Sequence, residues 1–303
     1  MLATYYQLAK PGIIYGNAVT AAAGFFVAAA GAPDFPLLAA TLIGLSLVVA
    51  SGCVFNNYID RDIDGRMERT KGRALVRGLV PLRASLSYGA VLGILGLAAL
   101  VTLVNLLAAL VALGGFAVYV FAYTILAKRR SVYATHVGSI AGAVPPVVGY
   151  VAALGRLDLG ALVLFLILCF WQMPHFFAIA LNRRDDYAAA GVPVLPVVRG
   201  ARSAKLQSAW YVAAFLVATI LLAALGYAGV AYLVVAVVLG IAWLGLALVG
   251  LYADDDRRWA RRMFVASLIV LTVLCVMMSV DARPGRRTPL APTAPSERSG
   301  LFA

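Results

Sequence analysis

Four polar side chains, Asn56, Asn57, Asp60 and Asp64, close the second apolar run of this chain, just after "LLAATLIGLSLVVASGCVF". If that run continues as a helix at about 100° per residue, all four fall within about a quarter of its circumference, and Asp62 points the opposite way. Two carboxylates one turn apart, with carboxamide oxygens a turn earlier, suit a hard divalent cation that takes oxygen ligands and keeps several waters, and Mg²⁺ is the natural occupant. So sparse a site commonly completes its shell with substrate phosphates. The basic residues that follow, Arg66, Arg69, Lys71, Arg73 and Arg77, can then hold the oxygens of a diphosphate. Arg73 and Arg77 share a face if that piece is helical. The plainer reading is a solvated loop with local ion pairs such as Asp62 with Arg66.

A second polar set lies in "FWQMPHFFAIALNRRDDYAAAGVPVLPVVRG". Asn182 and Asp186 are one turn apart and are followed by Arg199, Arg202 and Lys205. His175 sits deep in the preceding apolar run, where an ionisable group is costly and faces a cavity or a partner. It can be a neutral packing residue, a proton-transfer group or a metal ligand. Pro174 beside it frees a backbone carbonyl and lets the helix bend. Lys128, Arg129 and Arg130 add positive charge, either as lipid-headgroup anchors or as diphosphate contacts. His136 and the acids of "YADDDRRWARRMF" have the character of surface or packing residues.

These groups are expected to be carried by membrane helices. The chain is 63% apolar and 13% charged over 303 residues, which excludes an ordinary soluble domain. Nine apolar segments are long enough to cross about 30 Å of hydrocarbon at about 1.5 Å per residue. Their expected limits are 13–30, 36–57, 84–104, 106–127, 138–154, 159–180, 209–227, 229–251 and 263–280, with turns at "LVNLLA" and "LGYAGVAY". Gly138 to Ala143 permit close helix approach, and Pro145-Pro146 should break or kink span five. The fold expected is all-α, a single domain over 1–281 that bundles nine spans around a central cavity open to the cytoplasmic side. Residues 282–303, rich in Pro, Arg, Ser and Thr, have the composition of a disordered tail.

A net charge of +12 invites a nucleic-acid reading, which its distribution excludes. Lys and Arg gather in the N-terminal arm and in the loops after spans two, four, six and eight, whereas the loops after odd spans hold only Arg156. The N-terminus is therefore expected in the cytoplasm and the C-terminus on the opposite side. "AAAGAP" could pass for a signal-peptidase site, but its apolar run is long and reads as a retained first helix. Cys53, Cys169 and Cys275 lie in apolar runs with no ligand spacing, and only packing is expected of them.

Taken together, "SGCVFNNYIDRDIDGRMERTKGR", "YTILAKRRSVYATHVGSIAGAVPPVVGY", "WQMPHF" and "DYAAAGVPVLPVV" resemble the intramembrane prenyltransferase superfamily typified by 4-hydroxybenzoate polyprenyltransferase, and within it the haem-farnesylating branch. The superfamily's first motif, NDxxDxxxD, reads Asn56, Asn57, Asp60 and Asp64. Its second, DxxxD, reads Asn182 and Asp186, one carboxylate short. The resemblance implies transfer of farnesyl from farnesyl diphosphate to a vinyl group of haem b in a bacterial inner membrane. A haem A synthase or oxidase-assembly protein is the implied partner. It further implies Mg²⁺ on Asp60, Asp64 and Asp186, with Asn57 and Asn182 in support. Arg73 and Arg77, with Arg66, Lys71, Lys128 and Arg129, would contact the diphosphate. His175 would ligate the haem iron or move a proton. An aromatic, quinone or chlorophyll-type acceptor, or haem carriage without chemistry, are the competing readings.

Overall fold

The computed structural model describes residues 2–285. Within them the chain is helical and without strands, and nine helices are long and apolar enough to span a membrane. In order the spans are Pro11–Ala29, Phe35–Ile59, Leu82–Leu103, Leu106–Ala127, Ala134–Leu154, Leu159–Asn182, Gly200–Ala224, Val230–Tyr252 and Asp256–Val280. The protein is an integral membrane protein.

Each span expected from the sequence is present, and the largest differences are at the starts of spans seven and nine. Both helices begin among charged residues, so the apolar limits drawn at 209 and 263 miss their first turns. Helices continue into the headgroup zone wherever long cationic side chains can reach water. Span nine starts where the Asp255 carboxylate accepts from Arg258 N at 2.9 Å. Spans two and six start in the same way at Asp34 and Asp158. The "LVNLLA" turn is made by Asn105, whose side chain accepts from Ala108 N at 2.8 Å and donates to Val151 O at 3.0 Å.

Span five breaks at Ala143, between Ala134–Gly142 and Val144–Leu154, where Pro145 and Pro146 cannot donate to the preceding turn. Gln172 of span six fills the break, donating to Ser139 O at 3.2 Å. Span one lies against span five so closely that a Cβ on Gly149 would stand 1.8 Å from Ala21 O. Span two packs along span three, span seven between six and eight, and span nine against six, eight and one, which closes the bundle.

The chain beyond span nine stays attached: Arg283 N donates to Tyr227 O at 2.9 Å and Gly285 N to Gly226 O at 3.0 Å. The tail drawn from composition at residue 282 thus begins inside an ordered clasp, because these backbone groups complete the "LGYAGVAY" turn. Residues 286–303, the rest of that expected tail, lie outside the described residues.

Candidate functional site

Span two ends at Ile59, and Asp60 bends the chain into a single further turn, Arg61–Asp64. The bend keeps the two acids one turn apart, with Asp64 N donating to Asp60 O at 2.8 Å. Both are buried, at 0% and 2% exposure, which leaves neither carboxylate to lipid or bulk water. A buried carboxylate costs several kcal/mol unless it is paired. Each has a cation: Lys128 pairs with Asp60, and Arg73 with Asp64. Asn56 Nδ2 donates to Asp60 Oδ2 at 2.7 Å and approaches Thr124 Oγ1 at 3.1 Å. Arg129 grips Asp62 through two bonds of 2.7 Å, donates to Ile59 O at 2.6 Å, and places Nη2 3.8 Å from Asp60 Oδ1. That pair holds the Asp62 carboxyl below its ordinary range.

Lys10, which the sequence reading passed over, is also here. It donates to Asn56 Oδ1, while Leu8 O accepts from Asn57 Nδ2 at 2.8 Å. Its backbone is left-handed, with φ 53°, a conformation costing a non-glycine residue about 1–2 kcal/mol. Burial pushes its ammonium down to about 8, and the Arg73 and Lys128 charges act the same way. The only hint in the sequence is an isolated lysine at the mouth of the first apolar run.

The basic residues expected after Asp64 divide. Residues 66–80 fold as successive turns rather than a helix. Arg73 turns in to Asp64 while Arg77, Arg66 and Arg69 are exposed; Arg77 N donates to Arg73 O at 3.0 Å, so the two are one turn apart, but only Arg73 pairs with an acid among the described residues. Lys71 is exposed and pairs with Glu68 at 2.6 Å. Arg129, rather than Arg66, pairs with Asp62.

The segment after span six meets this site. Ile63 and Met67 pack on Ala190 and Val192, with Tyr187 at their edge. Burial raises the Tyr187 phenol pKa, and the charges of Arg69, Lys128 and Arg73 pull it back. Asn182 and Asp186 are half-buried, and their side chains have no hydrogen bond or ion pair among the described residues. Neighbouring Asp185 pairs with Arg257. No group of three His, Cys, Asp or Glu side chains among the described residues forms a ready metal site, so Asp60, Asp64 and Asp186 are not preassembled as one ligand set. Oxygen donors of the right kind are nonetheless available: Asn57 Oδ1 and Asp60 Oδ1 are buried and accept no hydrogen bond. Such orphaned oxygens fit a hard cation.

His175 stands seven residues before Asn182, two turns deeper on the same face of span six. Its ring stacks on Trp171 at 4.8 Å and on Phe264 of span nine at 4.9 Å, and Nδ1 is 2.8 Å from Ser267 Oγ. His136 is ringed by Tyr133, Phe177 and Tyr211, with Nδ1 buried and unbonded.

The sequence pattern of the UbiA prenyltransferase family matches residues 17–268. The chain belongs to the UbiA prenyltransferase family. It is therefore a prenyltransferase. A protein named Protoheme IX farnesyltransferase from Chromohalobacter salexigens is 54% identical over 281 residues, 93% of this chain and 95% of that one. One of the same name from Photorhabdus laumondii is 53% identical, over 93% and 96%. Among solved structures, digeranylgeranylglyceryl phosphate synthase aligns at TM-score 0.76 and 18% identity, over 92% of this chain and 98% of that one. A UbiA homologue from Archaeoglobus fulgidus bound to GPP and Mg²⁺ aligns at 0.60 and 16%, over 91% and 99%. At these identities the solved structures establish a shared UbiA fold.

Proposed function

We propose that this prenyltransferase moves farnesyl from farnesyl diphosphate to a vinyl group of haem b, with water completing a hydroxyethylfarnesyl side chain. The observation that carries the donor half is the buried pair Asp60 and Asp64 ringed by Lys10, Arg73, Lys128 and Arg129. The acceptor half draws on the name shared by relatives that match over most of their length. Asp60 and Asp64, together with Asp186, would hold Mg²⁺, with Asn57 and Asn182 in support. When bound there, the ion supplies charge stabilisation for the departing diphosphate.

The chain's own groups do the rest. Lys128 and Arg73 neutralise the acids in the free protein and turn to the diphosphate oxygens when substrate arrives. Lys10 and Arg129 complete the clamp, and Arg66, Lys71 and Arg77 contribute from the loop rim. Fixed cations aimed at the leaving group stabilise negative charge as it develops. Apolar side chains exclude water from the allylic cation until the vinyl group has added to it. His175, two turns deeper, either ligates the haem iron or handles the proton released by water. The diphosphate sits at the cytoplasmic mouth of a central cavity in the bacterial inner membrane, and both apolar substrates arrive through the bilayer.

The purified protein, given farnesyl diphosphate, Mg²⁺ and either haem b or an aromatic acid, is expected to yield a haem product heavier by a farnesyl and a hydroxyl group. A prenylated aromatic beside unchanged haem would overturn the acceptor assignment.

A further inference from the structure

Ser267 on span nine is fully buried and touches span six at two points. Its carbonyl accepts from Trp171 Nε1 at 2.8 Å, and its hydroxyl oxygen lies 2.8 Å from His175 Nδ1. The same hydroxyl oxygen is 2.6 Å from Phe264 O, one turn earlier on its own helix. A serine hydroxyl carries one hydrogen, and a carbonyl oxygen can only accept. At 2.6 Å that hydrogen lies between Ser267 Oγ and Phe264 O. The hydroxyl therefore has only lone pairs to offer the imidazole, and the proton of the second bond must come from the ring. His175 then carries its hydrogen on Nδ1, and Nε2 is left with an in-plane lone pair.

Two stacked rings restrain the plane of the imidazole, and with it the direction of that lone pair. Trp171 and Phe264 both stack on the imidazole, inclined to its plane by 21° and 29°. Stacking restrains tilt but leaves the edge open, and a nitrogen lone pair acts at the edge. No hydrogen bond among the described residues reaches Nε2. Ser267 has no place in the first-motif or second-motif residues and makes no contact with the acidic site.

We infer that Ser267 is a positioning residue: bound to Phe264 O, it holds His175 as the Nδ1–H tautomer and presents the Nε2 lone pair to the acceptor substrate. The inference rests on the proposed use of His175 toward haem. The same tautomer serves either version of that use, because iron ligation and proton acceptance both need an unprotonated nitrogen.

The chain has two histidines, so ¹⁵N-histidine labelling in detergent gives a readable spectrum. A His136→Leu background leaves the ring of His175 as the only signal. The expected spectrum has a protonated Nδ1 and a pyridine-like Nε2. Ser267→Ala should convert it to a mixture of tautomers and lower farnesyl transfer to haem by about ten- to a hundredfold, the usual cost of losing the partner that orients a histidine. Ser267→Thr, which keeps the hydroxyl, should restore both readouts. An Nε2–H ring in the Ser267 protein would overturn the inference, and so would a Ser267→Ala protein with an altered tautomer and unaltered turnover. Failure of the His175 assignment itself is read separately: His175→Ala would then keep full turnover while the Ser267-bearing protein still shows the Nδ1–H ring.

Discussion

At the end of span two, Asp60 and Asp64 are buried and each holds a cation; at the end of span six, Asn182 and Asp186 are half-exposed and their side chains are unpaired among the described residues. The motifs look like two versions of one device, yet the physical demands on them differ. Burial obliges the first pair to keep resident counter-charges in the free protein, because an uncompensated internal carboxylate is costly. Asp186 keeps part of its hydration and needs no partner. Under the proposed function, the first site is built in advance and would exchange partners when a diphosphate arrives, whereas Asp186 has no resident partner to give up. Ile63 and Met67 pack on Ala190 and Val192, so the two segments are in contact.

Asp64→Asn, which keeps shape and removes charge, is expected to lower farnesyl transfer by at least about 10²-fold, the order lost when one fixed electrostatic contact to a developing charge is removed. Haem binding, followed by its absorption spectrum, should persist; a carrier would form no product in either protein. Asp186→Asn should cost less, about tenfold, and raise the Mg²⁺ concentration needed for half-maximal rate. Equal losses from the two substitutions would erase the distinction between a prebuilt and an unpaired site.

Lys10→Met should raise KM for farnesyl diphosphate by roughly tenfold, about what one charge-assisted hydrogen bond contributes, and leave the KM for haem alone. Lys10 also gives the prebuilt site a pH signature. Its ammonium is pushed down to about 8 from 10.5, so the charged form is retained below pH 8 and lost above it. Diphosphate affinity should weaken as pH rises through 8, and Lys10→Arg should remove that step. The sign for folding is opposite. Between pH 8 and 10.5 the unfolded chain binds more protons at this residue than the folded one, so its contribution to stability rises with pH across that window. Smallest of all, Lys71→Ala should change turnover by less than about twofold, because Lys71 is exposed and pairs only with Glu68.

What the sequence made legible was whatever depends on near neighbours. Nine spans follow from runs of apolar side chains, the turn at Asn105 from one capping residue, and the one-turn spacing of Asp60 and Asp64 from helical periodicity. The Pro145-Pro146 break follows from the missing amide hydrogens. Partners brought in by tertiary packing were not legible. Lys10 reaches Asn56 across 46 positions, Lys128 reaches Asp60 across 68, and Ser267 meets His175 across 92. The division of the loop arginines was equally hidden, since residues 66–80 fold as turns in which Arg73 faces inward and Arg77 outward.

Binding of a non-reactive thiolo analogue of farnesyl diphosphate, titrated with and without Mg²⁺ against the Asp64 protein and Asp64→Asn, measures the core of this account without the acceptor. Tight, Mg²⁺-dependent binding that Asp64→Asn abolishes is the expected result. Equal affinity in both proteins, unaffected by the metal, would place the diphosphate somewhere other than the buried acidic pair.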